Sequence, residues 1–269
     1  MDFLDASLAI KLVATAAVVL SATLIAERAG AFIAAMIAAL PISAGPAYVF
    51  IAMEHDAAFV AQSALTSLSA NAMIAPFLLI GAALINRIGT ALSLAIALSA
   101  WIAGAIVVLR APPSIPAAVA INVALFAVCL LLSRPYRKTA IATAARRGLI
   151  DIALRVVAVV CVVAGVIIGG RAFGAEVAGI AAIFPVVWVS MTVIVSTRLG
   201  RPACAAVLAN GLIGMVGFAA ALATIYLSAP RLGSVVALSL ALGVCVSWNL
   251  GLSFAHRRAA RHRAAMPEG

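Results

Sequence analysis

Residues 57–109 read AAFVAQSALTSLSANAMIAPFLLIGAALINRIGTALSLAIALSAWIAGAIVVL, fifty-three positions with one charged residue, Arg87. A bilayer core of about 30 Å takes about 20 helical residues to cross. The stretch therefore holds two membrane spans, 57–85 and 90–109, meeting at Arg87. The chain of 269 residues is 66% hydrophobic and 10% charged, whereas soluble domains carry about a quarter charged residues. Working outward, further apolar runs lie at about 8–26, 30–53, 115–133, 149–169, 174–197, 202–227 and 231–254. Nine transmembrane helices are expected, the third of them long enough to tilt or to kink at Pro76.

An odd number of spans puts the two termini on opposite sides. With the C-terminus inside, the cytoplasmic side holds Arg28, Arg87, Arg134, Arg137, Lys138, Arg146, Arg147, Arg155, Arg198, Arg201, Arg257, Arg258, Arg261 and Arg263. The outer side holds Lys11, Arg110, Arg171 and Arg231, together with Glu54, His55, Asp56, Asp2 and Asp5. The positive-inside rule then predicts an N-out, C-in protein. The net charge of +10 reads as this topology signal, and no nucleic-acid partner is expected. The tail HRRAARHR reads as a solvated anchor attracted to anionic headgroups. Asp2 and Asp5 stand where a signal peptide would carry basic residues, so the first apolar run is expected to remain as a span. Cys129, Cys161, Cys204 and Cys245 fall in separate apolar runs without metal-ligand spacing and read as packing residues.

A shift of 144 positions lays the chain over itself. Lys11 falls on Arg155, Gly30 on Gly174, Pro41 on Pro185, Arg87 on Arg231 and Gly89 on Gly233, and RIGT falls on RLGS. The repeat covers spans 1–4 and 6–9, and the fifth span left between them turns the second copy over. The expected fold is thus an all-α polytopic membrane protein of two inverted four-helix repeats joined by a connector helix. Its parts are repeat 1 at 1–110, the connector and a basic loop at 111–148, repeat 2 at 149–255 and a basic tail at 256–269. Inverted repeats are a common architecture of secondary transporters.

Pro41 and Pro185 fall near the middle of their spans, where a proline frees backbone carbonyls. The first of these breaks reads Pro41, Ile42, Ser43, Ala44, Gly45, Pro46. The third span carries Gln62, Ser63, Thr66, Ser67, Ser69 and Asn71, and its repeat partner carries Asn210 with Gly211, Gly214 and Gly217. Interhelical packing explains such residues. If these faces instead meet the broken spans, Pro41, Ser43, Asn71, Pro185, Ser190 and Asn210 would line a small polar, uncharged substrate site, with Thr192 close by. No Asp, Glu or His falls at mid-depth, so coupling through a buried carboxylate has no obvious residue. Glu27 with Arg28 and Glu176 with Arg171 read as interfacial ion pairs. His55, His256 and His262 lie in loops or the tail, and no nucleophile, base and acid set can be assembled. No enzyme, cofactor or metal site is expected.

The stretch AGIAAIFPVVWVSMTVIVSTRLG, residues 178–200, resembles the GlpM family of small bacterial inner-membrane proteins at Ala178, Gly179, Phe184, Pro185, Ile194, Val195, Thr197 and Gly200. The segment ERAGAFIAAMIAALPISAGPAYVFIAMEH resembles, more loosely, duplicated bacterial membrane proteins with Leu-Pro followed by Gly-Pro. These resemblances imply a bacterial inner-membrane location and no defined biochemical activity. Two copies and a connector depart from the single-copy pattern.

The functional expectation is a secondary transporter or exporter of a small solute, working by alternating access of the two repeats. The competing expectation is a non-transporting accessory or scaffolding protein of an envelope complex. The partners expected are the lipid bilayer and a small-molecule substrate, with self-association into a homo-oligomer left open.

Overall fold

The computed structural model describes residues 44–111, 114–138 and 149–264, together with Val13, Ala16 and Ala17. Apart from those three residues, the expected first span, Lys11, and the start of the second span with Pro41 and Ser43 lie outside the described residues. So do most of the basic loop and the last five residues of the tail.

Among the described residues all regular structure is helical. The helices are α1 (Ala44–Glu54), α2 (Ala57–Asn71), α3 (Ile74–Ile88), α4 (Thr90–Arg110), α5 (Ile115–Leu132), α6 (Leu149–Phe173), α7 (Ala175–Ala182), α8 (Val186–Arg198), α9 (Arg201–Leu232) and α10 (Ser234–Ala264). A short 3-10 helix, Arg134–Lys138, follows α5. Among the described residues six segments are long and apolar enough to cross a membrane: Ala57–Ile88, Thr90–Arg110, Ile115–Leu132, Ala175–Arg198, Arg201–Leu232 and Ser234–Ala255. The chain is an all-helical, multi-pass membrane protein.

Two spans are interrupted at their prolines. Pro76 has no N–H, and its ring crowds the carbonyl four residues back, that of Ala72. The helix parts there, at Ala72 and Met73, and the Ala72 carbonyl takes the Ala75 N–H at 3.4 Å. At Pro185 the span is broken, as expected, with α7 stopping at Ala182 and α8 restarting at Val186. Two other ends are extended. The eighth span runs on through Pro230 to Leu232, and the tail continues α10 as helix to Ala264 rather than starting a separate segment.

The polar span is the centre of the bundle. Every residue from Ser63 to Ala72 is buried, and α2 packs against α4, α5, α7 and α9. Two thirds of the apolar stretch of Ala57–Ile88 is buried, against 17% in α10, so α10 lies at the lipid-facing edge. α4 buries a single stripe, Ser93, Ala97, Trp101 and Ala105. α10 buries Ala237, Ala241 and Cys245, and Ser93, Ala97 and Trp101 are the positions 144 residues earlier.

Three interhelical turns consist of one glycine each: Gly89, Gly174 and Gly233. Gly89 and Gly233, 144 residues apart, share a left-handed φ of 88° and 82° and closely similar ψ of 170° and 160°. Each donates its N–H four residues back, Gly89 to Ile85 and Gly233 to Ala229. At positive φ with ψ near 180° the backbone is in a region essentially confined to glycine, where a side chain costs about 1–3 kcal/mol. Gly89→Ala and Gly233→Ala are therefore each expected to lower stability by about 1–3 kcal/mol. Denaturant unfolding in detergent reads the effect, and two neutral substitutions would contradict the turn geometry.

The turns sort the charges to two ends. At one end the Arg201 guanidinium lies over Gly89, with Arg87 and Arg198 on the same side. There Arg137 donates to the Leu130 carbonyl at 2.8 Å and the Ser133 hydroxyl at 2.7 Å, closing the exposed carbonyl end of α5. Burial, with Arg134 beside it, holds the Arg137 guanidinium below its ordinary pKa. At the other end Arg171 donates through Nε and Nη2 to both Glu54 carboxylate oxygens, at 3.0 and 2.9 Å. The expected pairing of Arg171 with Glu176 is thus replaced by Glu54, and Glu176 accepts from Gln62 at 3.4 Å. His55 stacks on Phe59 with ring centroids 3.7 Å apart. Asp56 caps α2 by accepting the Phe59 N–H at 2.9 Å.

Candidate functional site

Polar groups in the hydrocarbon layer must find partners inside the protein. The two helix breaks determine where those partners are needed. At the α7 end the Ile183 N–H turns to Ile180 and Ala181, which leaves the Gly179 carbonyl without the amide a continuous helix would supply. The Ser67 hydroxyl of α2 donates to it at 2.6 Å and accepts from the Tyr48 hydroxyl of α1 at 2.7 Å. The approach is this close because Gly179 has no side chain, and a Cβ there would overlap the Ser63 carbonyl.

The break in the central span is served in the same manner from the connector helix. The Ala72 N–H turns to Ala70, leaving the Leu68 carbonyl, and Asn122 Nδ2 of α5 donates to that carbonyl at 2.7 Å. Asn122 Nδ2 also bonds Ala118 of its own helix at 2.8 Å, and its Oδ1 accepts from Asn71 Nδ2 at 2.9 Å. Proline breaks in membrane helices are tolerated when neighbouring helices re-satisfy the freed backbone, and Ser67 and Asn122 do so here.

Both breaks meet α4. The Met73 side chain fills the space over Gly104. One turn away, the Trp101 indole packs edge-on against Phe184, with centroids 5.3 Å apart at 85°. These positions share one depth by helix counting. Ala72 is sixteenth of the 32 residues Ala57–Ile88, Pro185 eleventh of the 24 in Ala175–Arg198, Trp101 twelfth of the 21 in α4 and Asn122 eighth of the 18 in α5. Among the described residues three buried side-chain polar atoms have no hydrogen-bond partner: Asn71 Oδ1 and Trp101 Nε1 at this depth, and Ser63 Oγ, nine residues before Ala72 in α2.

Of the expected site residues, Asn71 is fully buried at the first break, and Pro185 is buried at the second. Ser190 is buried in α8, its hydroxyl donating to Val187 at 3.0 Å, and Thr192 likewise bonds Trp188 at 2.6 Å. Asn210 is exposed on α9 and bonds back to the Ala206 carbonyl at 2.8 Å, so it takes no part in the Asn71 cluster. Pro41 and Ser43 lie outside the described residues. On α9, Gly211 and Gly217 receive the indoles of Trp188 and Trp248 rather than another backbone. Tyr48, Trp101 and Asn122 were missed. A lone asparagine in an otherwise apolar span and a tryptophan at mid-helix, away from the interfaces where it usually sits, were the signals available.

Among the described residues no group of His, Cys, Asp or Glu is placed to hold a metal. Comparison with known proteins gives no matching family model, no curated relative and no similar solved structure. The resemblance of residues 178–200 to GlpM proteins therefore stands on those residues alone.

Proposed function

We propose that the chain is a secondary transporter or exporter of a small solute, working by alternating access of two inverted four-helix repeats in a nine-span bacterial inner-membrane protein. The observation that carries this reading is the convergence of two mid-depth helix breaks on one stretch of α4. Discontinuous helices facing each other near the bilayer midplane are the arrangement in which transporters bind substrates. The repeat is supported by the matched buried stripes of α4 and α10. It is also supported by two contacts related by the 144-residue shift, α8 on α4 and α1 on α10. The basic end with Arg87, Arg134, Arg137, Arg198 and Arg201 is placed in the cytoplasm by the positive-inside rule, and reporter fusions after Arg198 test that placement.

Solute flux into proteoliposomes is the direct test. Asn71→Leu is expected to reduce flux at least tenfold, and Asn210→Leu to leave it unchanged. Equal flux in both variants and the parent would remove Asn71 from the pathway. One observation favours the accessory reading instead: Ser67 and Asn122 are occupied with helix repair. Co-purification with a fixed partner, and no uptake or efflux phenotype on deletion, would decide for it.

A further inference from the structure

The junction of α1 and α2 reads Glu54, His55, Asp56, Ala57, and that of α8 and α9, 144 residues later, reads Arg198, Leu199, Gly200, Arg201. Each joins its helices through two residues, and the charge is inverted between them. In the first, the Asp56 carboxylate closes the start of α2 by accepting the Phe59 N–H. In the second, Gly200 stands in place of Asp56 and no side chain caps α9, while Arg201 stands in place of Ala57. The Arg201 guanidinium lies across the Gly89 turn, its Nη2 3.5 Å from where a Cβ would stand. Arg87, exposed like Arg201, is two residues before that turn. The described carboxylate side chains, Glu54, Asp56 and Glu176, are engaged at the opposite end, so among the described residues no carboxylate reaches Arg87 or Arg201. From the turn into the membrane, α4 turns Leu92 and Ile96 outward, 54% and 40% exposed. They lie three and seven residues beyond Gly89, on one helical face with it.

We propose that Arg87 and Arg201, at the uncapped start of α9, bind the phosphate headgroup of an anionic phospholipid. Arginine suits phosphate because its rigid fork donates two parallel hydrogen bonds to two oxygens. The lipid phosphate then supplies at α9 the negative charge that the Asp56 carboxylate supplies at α2, where the helix dipole favours it. Two observations favour a lipid over a free phosphate. The arginines sit where spans end, at headgroup level, and basic pockets between spans are where such headgroups bind. The outward Leu92 and Ile96 strip leads from them into the hydrocarbon and gives an acyl chain a surface to lie on. The site goes beyond the transport reading and holds whether or not the chain moves a solute.

The test uses the delipidated full-length protein in zwitterionic micelles. Dioctanoyl phosphatidylglycerol is the probe, and dioctanoyl phosphatidylcholine and inorganic phosphate are the comparisons. A ligand of the folded state raises apparent stability by mass action, so a saturable rise in thermal midpoint is expected with the first and none with the other two. Arg201→Ala, which installs the residue found 144 positions earlier, is expected to weaken that binding at least tenfold, and Arg87→Gln to weaken it several-fold. Arg110→Gln, at the other end of α4, and Arg258→Gln, in the tail, are expected to leave it unchanged. Native mass spectrometry gives a second reading that does not depend on how the variants melt: phosphatidylglycerol retained by the parent and lost from Arg201→Ala. Unchanged affinity and retention in Arg201→Ala would overturn the assignment. So would an equal loss in Arg258→Gln, which would mean diffuse attraction to the whole basic end. An equal saturable response to inorganic phosphate would overturn the lipid in favour of a free anion.

Discussion

Replacing Gly179 with valine is expected to abolish the folded bundle. The α2 and α7 backbones cross where the Gly179 α-carbon faces the Ser63 carbonyl, and any Cβ would also come within 3.1 Å of the Thr66 Cβ. Overpacking a core costs about 1–3 kcal/mol when side chains can move aside. Here the obstacle is main chain in the most buried helix, and moving it also separates Ser67 from the Gly179 carbonyl. Against a typical total stability of about 5–15 kcal/mol, the expected loss exceeds about 3 kcal/mol. The measurement is the yield of monodisperse protein after detergent extraction, with a thermal midpoint where any is recovered. Gly243→Val is the control, because nothing lies within 4 Å of a Cβ built there. Equal behaviour of the two variants would refute the close crossing.

Asn122→Leu is expected to give the next largest effect. The change strands the Leu68 carbonyl and the Asn71 amide together, both in α2 at mid-depth. Interhelical hydrogen bonds in membranes average about 0.6 kcal/mol and reach about 1.7 kcal/mol. An orphaned buried group costs about 1–3 kcal/mol. The two lost bonds should lower stability by about 2–3 kcal/mol, read by denaturant titration in mixed micelles. Asn71→Leu should cost about 1 kcal/mol less, because Asn122 keeps its bonds to Leu68 and Ala118. In the double variant the losses should fall short of additive, since the second change removes a partner already missing. Strict additivity would mean the Asn71 to Asn122 bond contributes nothing.

How far the fold was legible follows from particular residues. Runs of apolar residues broken at Arg87, Gly174 and Arg198 located helices because the bilayer sets their length and leaves no choice of secondary structure. Pro76 and Pro185 marked irregularities, but the local sequence could not say that one span would part four residues before its proline and the other break outright. That depends on whether a neighbour supplies a donor for the freed carbonyl. The donors, Ser67 and Asn122, lie 112 and 54 residues from the carbonyls they serve. Asn71 was readable as a polar residue at depth, while its partner on the connector helix was not, because side-chain pairing across helices leaves no period in the chain. Asn210 looked equivalent to Asn71 in composition and faces outward, since rotation about a helix apolar on all sides is set by packing.

The single-glycine turns have a mechanical consequence. A connection of one residue leaves no slack, so α3 with α4, α6 with α7, and α9 with α10 must each travel as a unit at their shared end. Among the described residues, relative displacement of helices is left to the longer connections, His55–Asp56, Leu199–Gly200 and those flanking α5, and to the breaks at Ala72–Met73 and Ile183–Pro185. A cross-link placed over either interior break should therefore restrict the two helix segments it joins, whereas a tether between α9 and α10 beside Gly233 should add little constraint.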